Sequence, residues 1–370
     1  MNKRPMAIPG DNTSQHPPLD DARALLRQAI AERVFPGCAY GVMSNGAIVA
    51  CEGMGRFTYE ADAPTVTAGT VFDVASLTKV VATTAMAMIL HERGELRLET
   101  PLGELLPGFV VGRADSRHAR AVTLGHLLAH SSGLPGYKPL FREAQNAAEL
   151  LRACLTMPLE AAPGERAEYS DHGFLLLGKA LEVLAQDRLN RWTQREIFVR
   201  LDMQNTEFCP PTAKRMRIPP TEIDRALRQR VIRGEVQDEH AYRMGGVAGH
   251  AGLFSNVPDL LRFSAAMLGP ERDGLVQRET VDLFSRRQPP AGSSRALGWD
   301  TPSAPSSSGT RFSASSIGHL GYSGCSLWLD REANVSIVLL TNRTWPDRGN
   351  DAIRLLRPAF HDAVRSALKF

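Results

Sequence analysis

Ser76 and Lys79 stand three residues apart in Ser76-Leu77-Thr78-Lys79, at the head of an unbroken apolar run from Thr78 to Glu92. Residues i and i+3 of a helix share a face, so the lysine amine can reach the serine hydroxyl. An alcohol is a weak nucleophile until a base takes its proton, and a lysine desolvated against apolar side chains can lose its own proton near neutral pH. A serine at a helix start also has its backbone N–H and the positive end of the helix dipole beside it, where oxyanion charge would develop. The spacing therefore suits an acyl-transferring nucleophile with its base. Ser-x-x-Lys alone is common by chance, and serine is a frequent helix cap, so the weight falls on what accompanies it.

Tyr169-Ser170-Asp171 follows, after the loop Ala162-Pro163-Gly164-Glu165 and at the head of a second helical run to Leu184. His319-Leu320-Gly321 comes much later, just before the strand-like runs Ser326–Leu329 and Val335–Thr341. Around these lie Phe72-Asp73-Val74-Ala75, the segment VTLGHLLAHSSGLP at 122–135, GHAGLFS at 249–255 and GHLGYSG at 318–324. With its motifs in this order, the chain resembles the serine β-lactamase and penicillin-binding-protein family over roughly residues 20–368. The similarity is greatest to the class C-like branch, with its D-peptidases and carboxylesterases.

The resemblance implies roles. Ser76 would be the acylated nucleophile, Lys79 would share its proton and Tyr169 would be the second base. The backbone N–H groups of Ser76 and Tyr322 would hold the oxyanion, and Gly321 would let the strand edge lie close to the acyl group. No metal and no organic cofactor is implied.

Two positions depart from the family pattern. Asp171 stands where Asn is usual; an ionised Asp171 favours a charged Lys79 and removes an amide donor for a substrate carbonyl. His319-Leu320 stands where Lys-Thr is usual, which replaces a fixed cation by a mostly neutral ring and deletes a hydroxyl. Both changes weaken recognition of anionic β-lactams and free peptide C-termini, and both suit neutral esters.

Other patterns carry less. His250-Ala251-Gly252 also fits His-x-Gly but precedes a helical run, Val257–Leu268. The glycines at 245–252 lack a phosphate-loop frame. His126 and His130 are four apart, yet Leu127 stands where a zinc protease needs Glu. No G-x-S-x-G elbow is present. Arg343 reads as a surface arginine more readily than as a site cation, and the basic run Lys214–Arg217 has no interleaved aromatics.

The elements that must position these residues follow from periodicity and turn signals. Asp20–Val34 reads as a helix stopped by Pro36-Gly37; Cys38–Met43 and Ala47–Gly53 flank the hairpin signal Ser44-Asn45-Gly46. Val122–His130 and Asp171–Leu184 read as helices, 207–240 as a Pro- and Arg-rich excursion, 289–317 as a loop, and Ala352–Leu368 as an amphipathic helix. The excursion resembles one found in a branch of the family, which implies either a wall of the cleft or, equally, a packing or partner contact. The expected fold is α/β, an antiparallel sheet flanked by helices with an inserted helical lobe. Residues 1–18 would be a flexible tail, 19–75 and 291–370 the sheet lobe, and 76–290 the helical lobe.

Composition is compatible with this. Forty-three basic against 40 acidic residues leave a net charge of only +3, too little and too scattered for a nucleic-acid binder. No apolar run is long enough to span a membrane. The five cysteines (Cys38, Cys51, Cys154, Cys209, Cys325) form no C-x-x-C pair. The expectation is a cytoplasmic serine hydrolase acting on a small-molecule ester, amide or β-lactam, first a carboxylesterase or amidase. The alternatives are a D-amino-acid peptidase (DD-carboxypeptidase-like) or weak class C-like β-lactamase, and a catalytically degenerate module that binds acyl compounds.

Overall fold

The computed structural model describes residues 19–269 and 274–368; the tail expected at 1–18 lies outside them. Strands β1 (Gly37–Ser44) and β2 (Ala47–Gly55) form the hairpin at Asn45-Gly46, and β8 (Ile317–Leu320), β9 (Ser326–Asp330) and β10 (Val335–Thr341) come from the other end of the chain. They assemble into one five-stranded antiparallel sheet of order β2-β1-β10-β9-β8, in which Cys38 faces Thr341 and Ser44 faces Val335. The α/β class and the antiparallel sheet agree with the expectation.

The strands read as continuous apolar runs because both sheet faces are covered. Alternate residues of β10 divide between two cores. Val335, Ile337 and Leu339 join Tyr40, Val42, Trp328, Phe360 and Val364 beneath the helices Asp20–Ala31 and Ile353–Ala367. Val338 and Leu340 join the larger core on the other face, which includes Leu260, Leu261 and Phe263 of helix Val257–Leu268. That helix lies so close that a Cβ at Gly41 would come within 2.4 Å of Val257 Cγ1.

The middle of the chain is mostly helical but carries two small sheets. One has order β3-β7-β4, from Phe72–Asp73, Leu253–Ser255 and Glu207–Phe208; the other pairs β5 (Pro220–Asp224) with β6 (Arg230–Arg233). The 207–240 excursion is thus partly a hairpin, whose strands periodicity did not reveal.

Two expected helices differ. Val122–His130 is helical only over Leu124–Leu128. Thr123 caps it, accepting from the His126 N–H at 3.3 Å while the Thr123 N–H donates to His126 Nδ1 at 3.2 Å, and His130 turns left-handed at φ 55°. His126 and His130 therefore do not share a helix face. Thr78–Glu92 is not one regular helix: after a 3₁₀ turn at Ala75–Leu77 it holds a π-helical stretch at Lys79–Thr84 and an α-helix at Ala85–Glu92. The π stretch holds four β-branched residues, Val80, Val81, Thr83 and Thr84, which crowd a regular α-turn. The Thr83 hydroxyl donates out of the helix to the Gly249 carbonyl at 2.7 Å. π-turns of this kind recur at functional sites.

Candidate active site

β3 ends at Asp73, and the chain then turns sharply through Ala75, whose φ of 47° is uncommon for a residue with a side chain. Asp73 holds the turn: its Oδ1 accepts the Ala75 N–H at 2.9 Å, and its Oδ2 accepts the Gln237 N–H at 2.7 Å. Burial pushes the Asp73 carboxyl up to about 6 despite these donors. The turn displays Ser76, half-buried, in a 3₁₀ segment where residues three apart eclipse one another. Lys79 Nζ accordingly lies 3.1 Å from Ser76 Oγ.

Lys79 is wholly buried and still finds three partners. Besides Ser76, its Nζ donates to Asp171 Oδ1 at 2.7 Å and to the His250 carbonyl at 3.1 Å. Burial works against the ammonium, but Asp171 and Tyr169 outweigh it and raise the lysine above its ordinary range. Burial likewise opposes ionisation of Asp171, yet Lys79 and His250 hold its carboxyl below the usual value. The pair is an ammonium and a carboxylate, the consequence foreseen from Asp at that position.

Tyr169 and Asp171 reach the site from the head of helix Asp171–Ala185, which Ser170 caps: its hydroxyl accepts the Gly173 N–H at 3.2 Å and donates to the Pro135 carbonyl at 2.7 Å. The Tyr169 ring stands among His130 (centroids 4.7 Å apart), His319 (5.9 Å), Lys79 Nζ (4.8 Å) and the Arg295 guanidinium (5.2 Å). Burial raises its phenol, and Lys79 only partly offsets that, so the resting group is a neutral O–H.

His319 sits on the edge strand β8. Its Nδ1 lies 2.8 Å from the Leu320 carbonyl, and its buried Nε2 has no partner among the described residues. Burial, Lys79 and Arg295 push this imidazole down to about 3, so it is neutral. Beyond it the chain turns through Gly321-Tyr322, where a Cβ on Gly321 would meet the Val74 carbonyl at 2.5 Å. Two buried arginines hold this turn by its carbonyls. Arg357 Nη2 donates to the Gly321 oxygen at 2.6 Å, and Arg343 Nε donates to the Tyr322 oxygen at 2.8 Å. Among the described residues, neither the Ser76 N–H nor the Tyr322 N–H has an acceptor.

These groups meet at a cavity of about 900 Å³. Ser76, Tyr169, Asp171, His319, Gly321 and Tyr322 line it, with Lys79 behind Ser76. All seven residues singled out from the sequence are thus brought together. His250 contributes its carbonyl to Lys79 and precedes β7, away from the edge of the five-stranded sheet. The end of the excursion, Gln237, Asp238 and Glu239, forms part of the cavity wall.

Sequence reasoning missed several contributors. Arg343, taken for a surface residue, is 5% exposed and stacks on Tyr322 at 4.3 Å. Arg357 lies in an amphipathic helix with no signal marking it, and Arg295 lies in a loop of similar composition to its neighbours. Asp238, His240 and His250 offer donor atoms within 4.8 Å of one another, a grouping that could hold a metal ion. Asp-x-His followed ten residues later by His was the signal available.

A five-stranded antiparallel sheet with a Ser-x-x-Lys turn set against its edge is the arrangement of the serine β-lactamase and penicillin-binding-protein fold class. The chain belongs to the β-lactamase family, whose model matches residues 22–359. It is 31% identical over 304 residues to a protein of Escherichia coli (strain K12) that carries the provisional name D-alanyl-D-alanine carboxypeptidase, covering 75% of this chain and 70% of that one. It is 32% identical over 301 residues to the N-acetylmuramyl-L-alanine amidase of Bacillus subtilis (strain 168), covering 74% and 68%. Among solved structures it is similar to EstCE1, a hydrolase with promiscuous acyltransferase activity, at a TM-score of 0.74 and 23% identity over 93% of this chain and 97% of that one. No helix among the described residues is long and apolar enough to cross a membrane.

Proposed function

We propose that the protein is a serine hydrolase that cleaves a carboxylic ester or amide through an acyl-Ser76 intermediate. The observation that carries this is the hydrogen-bonded chain Ser76 Oγ, Lys79 Nζ, Asp171 Oδ1, with links of 3.1 and 2.7 Å, at the wall of the cavity. As Ser76 Oγ bonds to the acyl carbon, its proton passes to Lys79, and Lys79 passes one of its own to Asp171. The lysine stays an ammonium, the carboxylate becomes a carboxylic acid, and no free amine need exist in the resting enzyme. The neutral Tyr169 phenol supplies the proton taken by the departing alcohol or amine. The N–H groups of Ser76 and Tyr322, both without acceptors among the described residues, suit the oxyanion. Water then attacks the acyl carbon and the same proton path runs in reverse.

An esterase or amidase is preferred to a β-lactamase or DD-carboxypeptidase, because His319 is neutral and Leu320 offers no hydroxyl to a substrate carboxylate. The peptidoglycan-directed names of the similar E. coli and B. subtilis proteins keep a cell-wall peptide amide as the second reading. In the two-lobe division proposed with it, residues 19–75 and 291–370 carry the sheet and 76–290 the helical lobe, with the cavity between. Five cysteines without a disulfide are compatible with a reducing, cytoplasmic setting.

Mass spectrometry after incubation with a fluorophosphonate, with wild type and Ser76→Ala in parallel, tests the proposal. A single adduct on Ser76, absent from the variant, together with p-nitrophenyl ester turnover is expected. Turnover retained by Ser76→Ala would sink it, and a persistent penicillin adduct would favour the peptidase. No adduct with either reagent would favour the inert acyl-binding module.

A further inference from the structure

Beside the candidate active site lies a second group of donors that the acyl-transfer chemistry does not use. Asp238 caps the short helix Glu239–Arg243, its Oδ1 accepting the Ala241 N–H at 2.7 Å. The same oxygen lies 2.8 Å from His250 Nε2. His240, two residues on, is 1% exposed; the Lys138 backbone carbonyl acts on its ring, but neither ring nitrogen has a well-formed hydrogen bond among the described residues. His250 is also 1% exposed, and its Nδ1 has none. Buried polar atoms are nearly always satisfied. The buried His240 ring, beside a carboxylate that His250 Nε2 already touches, is a set of donors open to an unseen partner that accepts lone pairs.

From this geometry we infer a divalent transition-metal site of the Zn²⁺ type, with Asp238, His240 and His250 as its protein ligands. Two imidazoles and one carboxylate are the donor types such an ion takes, at about 2.0–2.2 Å, and three protein ligands leave a fourth position open. The donor atoms already lie within 4.8 Å of one another. Tetrahedral ligands stand about 3.3 Å apart, so closure needs side-chain shifts of the order of 1 Å. The Asp238–His250 contact is then the form the site takes without metal.

The supporting contacts are in place. The Ala241 N–H orients the Asp238 carboxylate, and the hydrogen bond from Lys79 to the His250 carbonyl fixes that segment. The His240 ring is held edge-on by Tyr137, Phe141 and His172, with centroids 5.8, 5.4 and 5.1 Å away. Such outer contacts set ligand orientation as firmly as the ligands themselves. Asp238 also lines the large cavity, so the open position can face substrate. The site is separate from the nucleophile: it needs neither Ser76 nor its acylation.

Equilibrium dialysis of the full chain against Zn²⁺, followed by elemental analysis, should return about one ion per chain. Co²⁺ in its place should give the intense visible bands of a four-coordinate site. His240→Ala and Asp238→Asn should each weaken binding by about 100-fold or more. His118→Ala, on an exposed histidine elsewhere, and Ser76→Ala should bind as wild type does, which separates this inference from the hydrolase mechanism. His240→Asn, a smaller change, guards against a variant that fails to fold. Binding far below one ion per chain, or full binding that survives both His240→Asn and Asp238→Asn, would overturn the site.

Discussion

The two walls of the cavity are built on different principles. On the nucleophile wall the charged groups around Ser76 are paired: the buried Lys79 with the half-buried Asp171 at 2.7 Å, and the half-buried Asp238 beside the buried His250 at 2.8 Å. On the opposite wall, Arg343 and Arg357 are buried but spend their donors on the carbonyls of the 321–325 turn, while Tyr322 is 47% exposed and Leu355 81% exposed. The first wall is arranged so that protons can move without any group being resolvated. The second presents backbone N–H groups and a half-open apolar surface. In the proposed mechanism, reactivity belongs to the side chains of one wall, and substrate preference to the shape and charge of the other.

Substitutions can break that contrast, and the largest effects belong to the paired wall. Lys79→Ala leaves the half-buried Asp171 carboxylate without its partner, which should cost about 1–3 kcal/mol in denaturant unfolding. The same change should remove about 10³-fold or more of p-nitrophenyl ester turnover, in the range seen when one member of a catalytic unit is lost.

Asp171→Asn tests the pairing through pH. In the wild type the folded Lys79 is raised, so its contribution to stability is complete below the unfolded lysine value of about 10.4 and is lost only as pH rises through the folded value. The lowered Asp171 contributes above its unfolded value of about 3.9 and loses that contribution as pH falls through the folded one. With asparagine, only Tyr169 is left to oppose burial, the largest influence on Lys79, and the lysine is driven down. The variant should therefore gain stability as pH rises between the folded and unfolded lysine values, where the wild type is flat. Thermal unfolding from pH 7 to about 10 measures this. A flat variant profile would mean that the pair does not set the lysine charge.

The other wall should respond more mildly. Arg343→Met frees the Tyr322 carbonyl and loosens the turn, and should lower kcat about 10- to 100-fold with little change in KM, as expected of a lost transition-state contact. His319→Lys sets a cation at the cavity edge and should improve the ratio of nitrocefin to neutral-ester turnover by about tenfold, one charge-assisted hydrogen bond. Tyr322→Ala retains the backbone N–H and should change kcat/KM for short esters by no more than about threefold, since the ring is half in solvent. A large loss there would move part of the chemistry onto the open wall.

The same division explains what could be read in advance. Ser76 and Lys79 announce themselves through spacing at a helix head, Tyr169 and Asp171 through the motif order that carries the family resemblance, and the β1–β2 hairpin through Asn45-Gly46. The apolar alternation of β10 was visible only as an unbroken run, because both faces are covered. The change from 3₁₀ to π to α over Ala75–Glu92 was not legible, since it depends on hydrogen bonds to Gly249 and Leu253 more than 160 residues away. Arg343 and Arg357 were invisible for the same reason: an arginine whose donors meet turn carbonyls is indistinguishable in sequence from one in water. The hairpin in the excursion was hidden by prolines at 219 and 220, which read as breakers.

The pairing of β1 with β10 also bears on synthesis. Cys38 meets Thr341 across some three hundred residues, so the central sheet cannot close until nearly the whole chain has been made. Until then the β1–β2 hairpin presents an unpaired inner edge of Cys38, Ala39, Tyr40, Val42 and Met43, an apolar template for any neighbouring strand. Such an edge invites aggregation during translation. Recombinant yield should accordingly rise at low temperature or with co-expressed chaperones, and fall most for variants that delay the arrival of residues 335–341.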